Sequence, residues 1–427
     1  MNAVFLGAVL VAFVVAGYRQ IAEIPVAGTA TPMDALGLAM IDAAKGSVTL
    51  AIGLVGVMAL FLGLMKVAEA GGLLTIIART VRPLMVRLFP DVPPNHPAMG
   101  AMILNISANV LGLGNAATPF GIRAMQELDR LNPNKGTATN AMVMFLAINT
   151  SSVTLLPTGV IALRASAGSI DPAGILPTTL FATICSTTVA ILAVKLYQRF
   201  TAPIPPRQTK SGDGAEMVEA DLSREPDQPY PGWVSALALA AVAALVPLTI
   251  LYGREIAPWI IPGLMVALLG FGALRGVSVY DAFVDGARDG FNVALRIIPY
   301  LVAILVAVGM LRQSGALELL ITPLGAITEG IGLPAEALPM ALLRPLSGSG
   351  AYGILASIIQ DPATGPDTYI GYLVSTFQGS TETTFYVLAV YFGAVQIRRI
   401  RHALAAALTA DFAGIAAAVA ITAYLFG

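Results

Sequence analysis

Cysteine, histidine and charge are scarce in this chain of 427 residues. The single cysteine, Cys185, sits inside an apolar run, so no disulfide framework forms within one chain. The two histidines, His96 and His402, lie far apart, and a His/Cys metal cage needs more ligands at closer spacing. No local motif supports a Cys–His nucleophile. Charged residues make up 11% of the chain, where a soluble domain carries about 25%. The net charge of -1 leaves no basic surface to meet a phosphate backbone. These shortages exclude a soluble enzyme, a disordered scaffold and a nucleic-acid binder.

What is abundant is apolar: hydrophobic residues account for 56%. Runs long enough to cross a bilayer lie near 1–18, 47–66, 174–197, 232–252, 257–275, 291–311 and 402–426. Two more, 139–163 and 368–397, are interrupted by polar clusters and read as broken spans. Segments 97–130 and 335–361 are shorter apolar pieces broken by Gly, Asn, Ser and Pro. They read as re-entrant hairpins, which survive at membrane depth only when covered by protein or facing water. No Lys or Arg precedes the run Met1 to Gly17, as a secretory signal requires, so it reads as a first span. Residues 201–231, rich in Pro and mixed charge, read as a polar linker.

The linker separates two halves that share an order of features. Ala44-Lys45-Gly46, an apolar run and Gly71-Gly72-Leu73 recur as Arg288-Asp289-Gly290, an apolar run and Gly315-Ala316-Leu317. Asn149 to Leu156 recurs as Gly379 to Tyr386. The reading is a first repeat over 1–200, the linker, a connecting span over 232–256 and a second repeat over 257–427. With both hairpins returning to their own side, most Lys and Arg fall on the face of the N-terminus, among them Lys66, Arg79, Lys195, Arg199, Arg398 and Arg401. The positive-inside rule then puts that face in the cytoplasm. An odd number of crossings separates the two repeats, which makes them inverted, as in many secondary transporters. Segments 33–45, with Asp34 and Asp42, and 72–88, with Arg79, Arg82 and Arg87, read as interfacial amphipathic pieces.

Polar residues at membrane depth are expensive, and this makes them the candidates for function. Glu382 stands in a cluster with Gln378, Ser380, Thr381, Thr383 and Thr384. Its carboxylate suits a cation, a proton or a polar solute; an ion pair with Arg344 is the structural alternative. Arg344 precedes Pro345, Ser347 and Ser349, the serines alternating with glycines. The loop's open amides suit an anion or a carbonyl oxygen, or else a tight helix contact. It lacks the pattern of a phosphate-binding P-loop. Asn105 and Asn109 share a helix face and, with Asn115, offer amides to a neutral polar solute; interhelical glue is the alternative. Asn149, Thr150, Ser151 and Ser152 mirror the Glu382 cluster, with Ser152 in the place of Glu382. Asp411, in the last span, serves either as a proton relay or as a partner for Arg296.

The run Asn109-Val-Leu-Gly-Leu-Gly-Asn-Ala-Ala-Thr-Pro-Phe-Gly121, followed by Ala124 to Leu128, resembles spore maturation protein A. Arg344-Pro-Leu-Ser-Gly-Ser-Gly-Ala-Tyr-Gly353, Gly379 to Tyr386, Tyr391-Phe-Gly-Ala394 and Arg398-Arg399 resemble spore maturation protein B. The chain is similar to a fusion of the two, in the nucleoside-recognition, or Gate, group of membrane proteins. The resemblance implies a permease-like fold and no particular substrate. The expectation is an all-α polytopic membrane protein of two inverted Gate-type repeats with re-entrant hairpins and broken helices, in a bacterial inner membrane. Its expected work is transport of a small polar solute, nucleoside-like or another metabolite, by alternating access. The alternative is a non-transporting membrane protein that assembles or gates a partner complex. No enzymatic activity, metal or cofactor is expected; H+ or Na+ is the coupling ion to consider. The expected partners are the solute and the lipid bilayer, with homo-oligomerisation left open.

Overall fold

The apolar runs and their interruptions give helices and breaks. The computed structural model describes residues 2–22, 30–112, 117–151, 154–201 and 230–427. Nearly all of the linker expected at 201–231 lies outside them. The elements are α1 (Asn2–Ala22), α2 (Pro32–Ala70), α3 (Leu73–Leu88), α4 (Pro97–Val110), α5 (Ala117–Arg130), α6 (Asn140–Ser151), α7 (Thr158–Ser166) and α8 (Leu176–Phe200). They continue as α9 (Gly232–Leu274), α10 (Val279–Ser314), α11 (Ala316–Thr328), α12 (Leu338–Leu343), α13 (Gly348–Gln360), α14 (Tyr369–Ser380), α15 (Thr384–Ala394) and α16 (Ala403–Phe426). Among the described residues, no strand forms beyond an isolated bridge between Thr137 and Arg399. The helices long and apolar enough to cross a membrane include Phe5–Ala22, Pro32–Ala70, Leu176–Phe200 and Ala403–Phe426.

Helix α2 starts where the Thr31 side chain accepts the Asp34 amide at 3.2 Å. It runs for 39 residues, about 58 Å. The hydrocarbon core of a bilayer is about 30 Å thick. The acidic segment 33–45 is therefore the first part of this long helix, correcting the expectation of a separate amphipathic piece. Apolar positions continue through it without a breaker, so nothing stops the helix from extending. It ends at Gly71-Gly72, where Gly72 has φ 84°; α10 ends at Gly315, with φ 79°. Only glycine adopts that backbone cheaply, and it lets α3 and α11 leave in new directions. Helix α3 carries Arg79, Arg82 and Arg87 on an otherwise apolar body, as an interfacial helix does.

Elements α2–α8 and α10–α16 repeat one order: long helix, glycine elbow, short helix, hairpin, broken span and final span. The long helices pack on each other with Gly63 against Phe283, Gly286 against Leu62 and Lys66, Gly290 against Ala59, and Gly309 against Ala43. Residue numbers fall along α2 as they rise along α10, so the two equivalents are antiparallel. The same holds for α8 and α16, where Ser186 Oγ donates to the Ala410 carbonyl at 2.9 Å and Thr201 meets His402 at 3.2 Å. Equivalent spans in opposite directions are the relation of an inverted repeat.

The runs 232–252 and 257–275, read as separate spans, are joined in one element, α9. The Ser235 hydroxyl donates to the Thr80 carbonyl, and Arg275 Nε donates to the Gly71 carbonyl at 3.0 Å. A straight helix would hold Ser235 and Arg275 about 60 Å apart. Their partners are nine residues apart in sequence, which limits them to about 32 Å. Helix α9 therefore bends within its length.

Both hairpins return to the face they left. The approach to α4, at Asp91 and Val92, and the exit of α5, at Leu131 and Pro133, line one cavity. In the second half the chain bends by 110° before α12. There, the Tyr369 hydroxyl donates to the Gly332 carbonyl at 2.6 Å, and Arg312 pairs with Asp361 at 2.8 Å. Ties on both faces join the halves. On the face of Arg312, Arg164 is fully buried and reaches Asp367 at 3.1 Å. It also donates to the carbonyls of Pro366, at 2.5 Å, and Asp171, at 3.1 Å, with its guanidinium 4.3 Å from the Tyr372 ring centre. On the other face the tie is mostly backbone: Arg398 and Arg399 amides donate to the Gly136 carbonyl, and the Ala138 amide donates to the Arg399 carbonyl.

Three outcomes are expected from purified protein melted in detergent. A side chain at Gly286 would meet the Leu62 carbonyl at 2.5 Å, so Gly286→Val lowers stability by about 1–3 kcal/mol. Gly56, with nothing within 4 Å, tolerates Ala within about 0.5 kcal/mol. Arg164→Met removes the countercharge of Asp367, which keeps only the Ser169 hydroxyl and the Ile170 amide, takes a donor from the Pro366 and Asp171 carbonyls, and costs about 3–5 kcal/mol. An Arg164→Met protein as stable as wild type would remove this tie between the halves.

Candidate solute site

The breaks in the spans are held open by the hairpin tips. Pro157 has no N–H, and α6 stops at Ser151, before it. The Leu155 amide then donates to the Val110 carbonyl at 3.1 Å, on the tip of the first hairpin. Gly112, with φ 73°, lies so close that a Cβ would meet the Leu156 carbonyl oxygen at 2.4 Å. In the second half the Phe385 amide donates to the Pro345 carbonyl at 3.1 Å. The breaks also meet each other: the Glu382 amide donates to the Thr150 carbonyl at 2.9 Å.

At this junction is a cavity of about 150 Å³. The first half lines it with Asn109, Gly112, Thr154 and Leu156 to Val160; the second half lines it with Tyr352, Gln378, Gly379 and Glu382. The Tyr352 hydroxyl crosses between halves to the Gly159 carbonyl at 3.1 Å. The Glu382 side chain is 46% exposed. Gln378 Oε1 is buried without a partner. The cavity thus presents the Glu382 carboxylate beside the amides of Asn109 and Gln378, the hydroxyl-bearing Thr154, Thr158 and Tyr352, and an apolar and backbone remainder. Its volume is below the roughly 300 Å³ at which drug-sized pockets begin.

Asn109, Gln378 and Glu382 are the sequence candidates that line this cavity. The other described candidates do not line it. Asn149 Oδ1 accepts from Asn109 at 2.9 Å and from the Tyr391 hydroxyl at 3.4 Å. Asn105 donates to the Ala117 carbonyl at 2.8 Å and to Tyr391 at 3.1 Å, so it ties the hairpin to α15. The Thr150 hydroxyl turns back on the Ala147 carbonyl. Ser151 bonds Ile148 and Thr187, at 3.0 Å each. Ser347 caps α13 by accepting the Gly350 amide at 3.0 Å, while Ser349 is exposed. Ser380 and Thr381 are buried. Asn115 and Ser152 lie outside the described residues.

Arg344 is buried at the tip of the second hairpin, 3.8 Å from Glu382. Its guanidinium donates to Thr383 Oγ1 at 3.0 Å and to the Thr381 carbonyl. The expected pair therefore exists, within one half. Asp411 is held by the Thr384 hydroxyl at 2.6 Å; the side chain of Arg296 lies outside the described residues. Sequence reasoning missed Tyr391 and Tyr352 as site residues. Both look like ordinary apolar-span aromatics, and only packing turns their hydroxyls toward polar partners. Among the described residues no group of three or more His, Cys, Asp or Glu converges as a metal site.

A second cavity, of about 430 Å³, opens between the loops of one face, where Asp91, Asn140, Gln198 and Arg401 contribute polar groups. Next to it, burial and then the charge of Arg401 push the His402 imidazole down to about 4. His402 is therefore neutral at physiological pH.

With this geometry in place, comparison with known proteins is informative. The Gate family, described as nucleoside recognition, matches residues 51–167 and 294–398. Each matched segment runs from within a long first helix through a hairpin and a broken span. The chain belongs to the Gate nucleoside-recognition family. Spore maturation protein B of Bacillus subtilis is 44% identical over 177 residues, covering 40% of this chain and 98% of its own. Spore maturation protein A of the same organism is 48% identical over 154 residues, covering 36% of this chain and 79% of its own. The crystal structure of the YdaH transporter of Alcanivorax borkumensis aligns with 99% of this chain and 97% of its own. At a TM-score of 0.37 and 15% identity, that likeness is too remote to bear on mechanism.

The polar layer behind the cavity depends on one hydroxyl. Tyr391→Phe leaves the Asn105 and Asn149 amides short of a partner and is expected to cost about 1–3 kcal/mol. A thermal melt of the purified variant checks this, and an unchanged melt means that the two amides do not need it.

Proposed function

We propose that this protein is an inner-membrane permease for a small polar solute. The solute binds in the central cavity, and the two halves rock around it by alternating access. The observation that carries this reading is the make-up of the cavity. Both hairpin tips and both helix breaks meet there, with Gln378 Oε1 unpartnered and Glu382 half exposed. Discontinuous helices that meet at the interface of inverted repeats are where secondary transporters bind their cargo. Family membership makes a nucleoside-like solute one class to test. The small volume favours compact metabolites, or a site that widens as the halves move. The family and the cavity support a carrier and require no enzymatic step.

The face that gathers Arg79, Lys195, Arg199, Arg398 and Arg401 is the cytoplasmic one by the positive-inside rule, and the N-terminus lies there with it. Residues 1–200 and 257–427 act as the moving units, with 201–231 a cytoplasmic linker and 232–256 a connecting span.

The test is ligand-induced thermal stabilisation of purified protein against nucleosides, bases, amino acids, dicarboxylates and divalent cations, with and without sodium. A solute that binds only the folded state at a hundredfold excess over its Kd adds about 2.7 kcal/mol. We expect at least one stabilising solute, with the effect abolished in Glu382→Gln and Asn109→Ala. A panel without any stabilising solute, or a solute that stabilises Glu382→Gln as well as wild type, overturns this reading.

A further inference from the structure

Helix α16 places an acid beside the Glu382 site that the solute reading does not use. Asp411 is 3% exposed. Its Oδ2 accepts one bond, from the Thr384 hydroxyl at 2.6 Å, and its Oδ1 is buried with no partner. An ionised carboxylate offers about four acceptor positions, and a buried one persists only when it is paired and hydrogen-bonded. One hydroxyl does not meet that need.

The nearby cation is already committed. Arg344 lies 3.8 Å from Glu382 and spends donors on Thr383 and the Thr381 carbonyl, while its Nε has no partner. Its charge acts on both Glu382 and Asp411. The packed helices α8 and α15 supply neutral groups next to Asp411: Ser186, bonded to the Ala410 carbonyl, and Thr384. Among the described residues the charge that acts on Asp411 is that of Arg344, which acts on Glu382 as well; the packed helix α8 also carries Cys185 and Tyr197, whose hydroxyl bonds Thr409 at 3.0 Å. The charge of one arginine therefore acts on two carboxylates, and charge balance in a dry interior is met when one of the two holds a proton. Glu382 is half exposed to the cavity and Asp411 is buried, so the proton belongs on Asp411.

We propose that Asp411 is the proton-binding site of the transport cycle and that Arg344 couples it to the solute. While Arg344 pairs with Glu382, Asp411 is a neutral carboxylic acid. When a polar solute engages Glu382, Arg344 is released toward Asp411. The O–H bond of Asp411 breaks, its proton passes to cavity water, and the carboxylate left behind pairs with the guanidinium. Solute and proton then occupy the protein in exchange. The role given to the proton rests on the permease reading, whereas the protonation itself does not.

Infrared difference spectroscopy of the purified full-length protein at neutral pH, in light and heavy water, tests this without any solute. Wild type is expected to show a deuterium-sensitive carboxylic acid C=O band. Asp411→Asn, which keeps an acceptor for Thr384, is expected to lose the band entirely. Glu382→Gln is also expected to lose it, because Arg344 then serves Asp411 alone and lets it ionise; a merely structural Asp411 gives no such response. Absence of the band in wild type, its survival in Asp411→Asn, or no change in Glu382→Gln would overturn the assignment. Because no solute is present, a negative result here leaves the cavity reading standing. A solute panel without a hit leaves the proton site standing in turn.

Discussion

Backbone polar groups inside a bilayer have no water to bond, so every break in a span must be covered by protein. The rest of the architecture follows from that constraint. The α6–α7 break is covered by the first hairpin through Leu155 and Val110, and the α14–α15 break by the second through Phe385 and Pro345. The two breaks close the remaining gap between themselves through Glu382 and Thr150. A hairpin that enters and leaves on one face is therefore the piece that allows a span to stop at mid-depth. The space where these pieces converge is too irregular to fill with side chains, and it remains as the cavity.

Symmetry explains why the cavity is central, and departures from symmetry explain its polarity. The antiparallel pairs α2–α10 and α8–α16 set the two hairpins on opposite faces with their tips at the same level. Each apolar core then mixes the halves. One joins α4, α5 and α6 to α15 and α16; the other joins α12, α13 and α14 to α2, α7 and α10. The halves cannot separate without exposing both cores, though they can pivot if the ties at the faces exchange partners. Those ties differ: a fully buried arginine on one face, and mostly backbone pairing on the other. The charged groups are also one-sided, since Arg344, Glu382 and Asp411 all come from the second half.

Much of this was legible because bilayer insertion enforces simple composition rules. Spans, broken spans and hairpins could be read from long apolar runs and from Gly, Pro, Asn and Ser clusters within them. The doubling of features around Gly71 and Gly315 pointed to a repeat, and the structure gives these positions the same elbow. Boundaries were less readable where nothing in the sequence stops a helix. Segment 33–45 looked amphipathic by itself, yet it continues without a breaker into α2. The apolar pieces before and after 253–256 looked like separate spans, yet they form one bent element.

The sequence by itself determined that this chain lives in a membrane, that it is made of two related halves, and that polar clusters near Asn109, Asn149, Arg344 and Glu382 lie at depth. Those properties depend on composition and spacing, which are local. The tertiary structure decided which polar groups face the cavity and which only hold it together. Asn109 lines the cavity while Asn105, one turn away, is consumed by Ala117 and Tyr391. It also placed Asp411 beside Thr384 and within the field of Arg344. Such assignments depend on contacts between residues tens to hundreds of positions apart. Spacing along one helix cannot specify which neighbour a side chain meets across the interface.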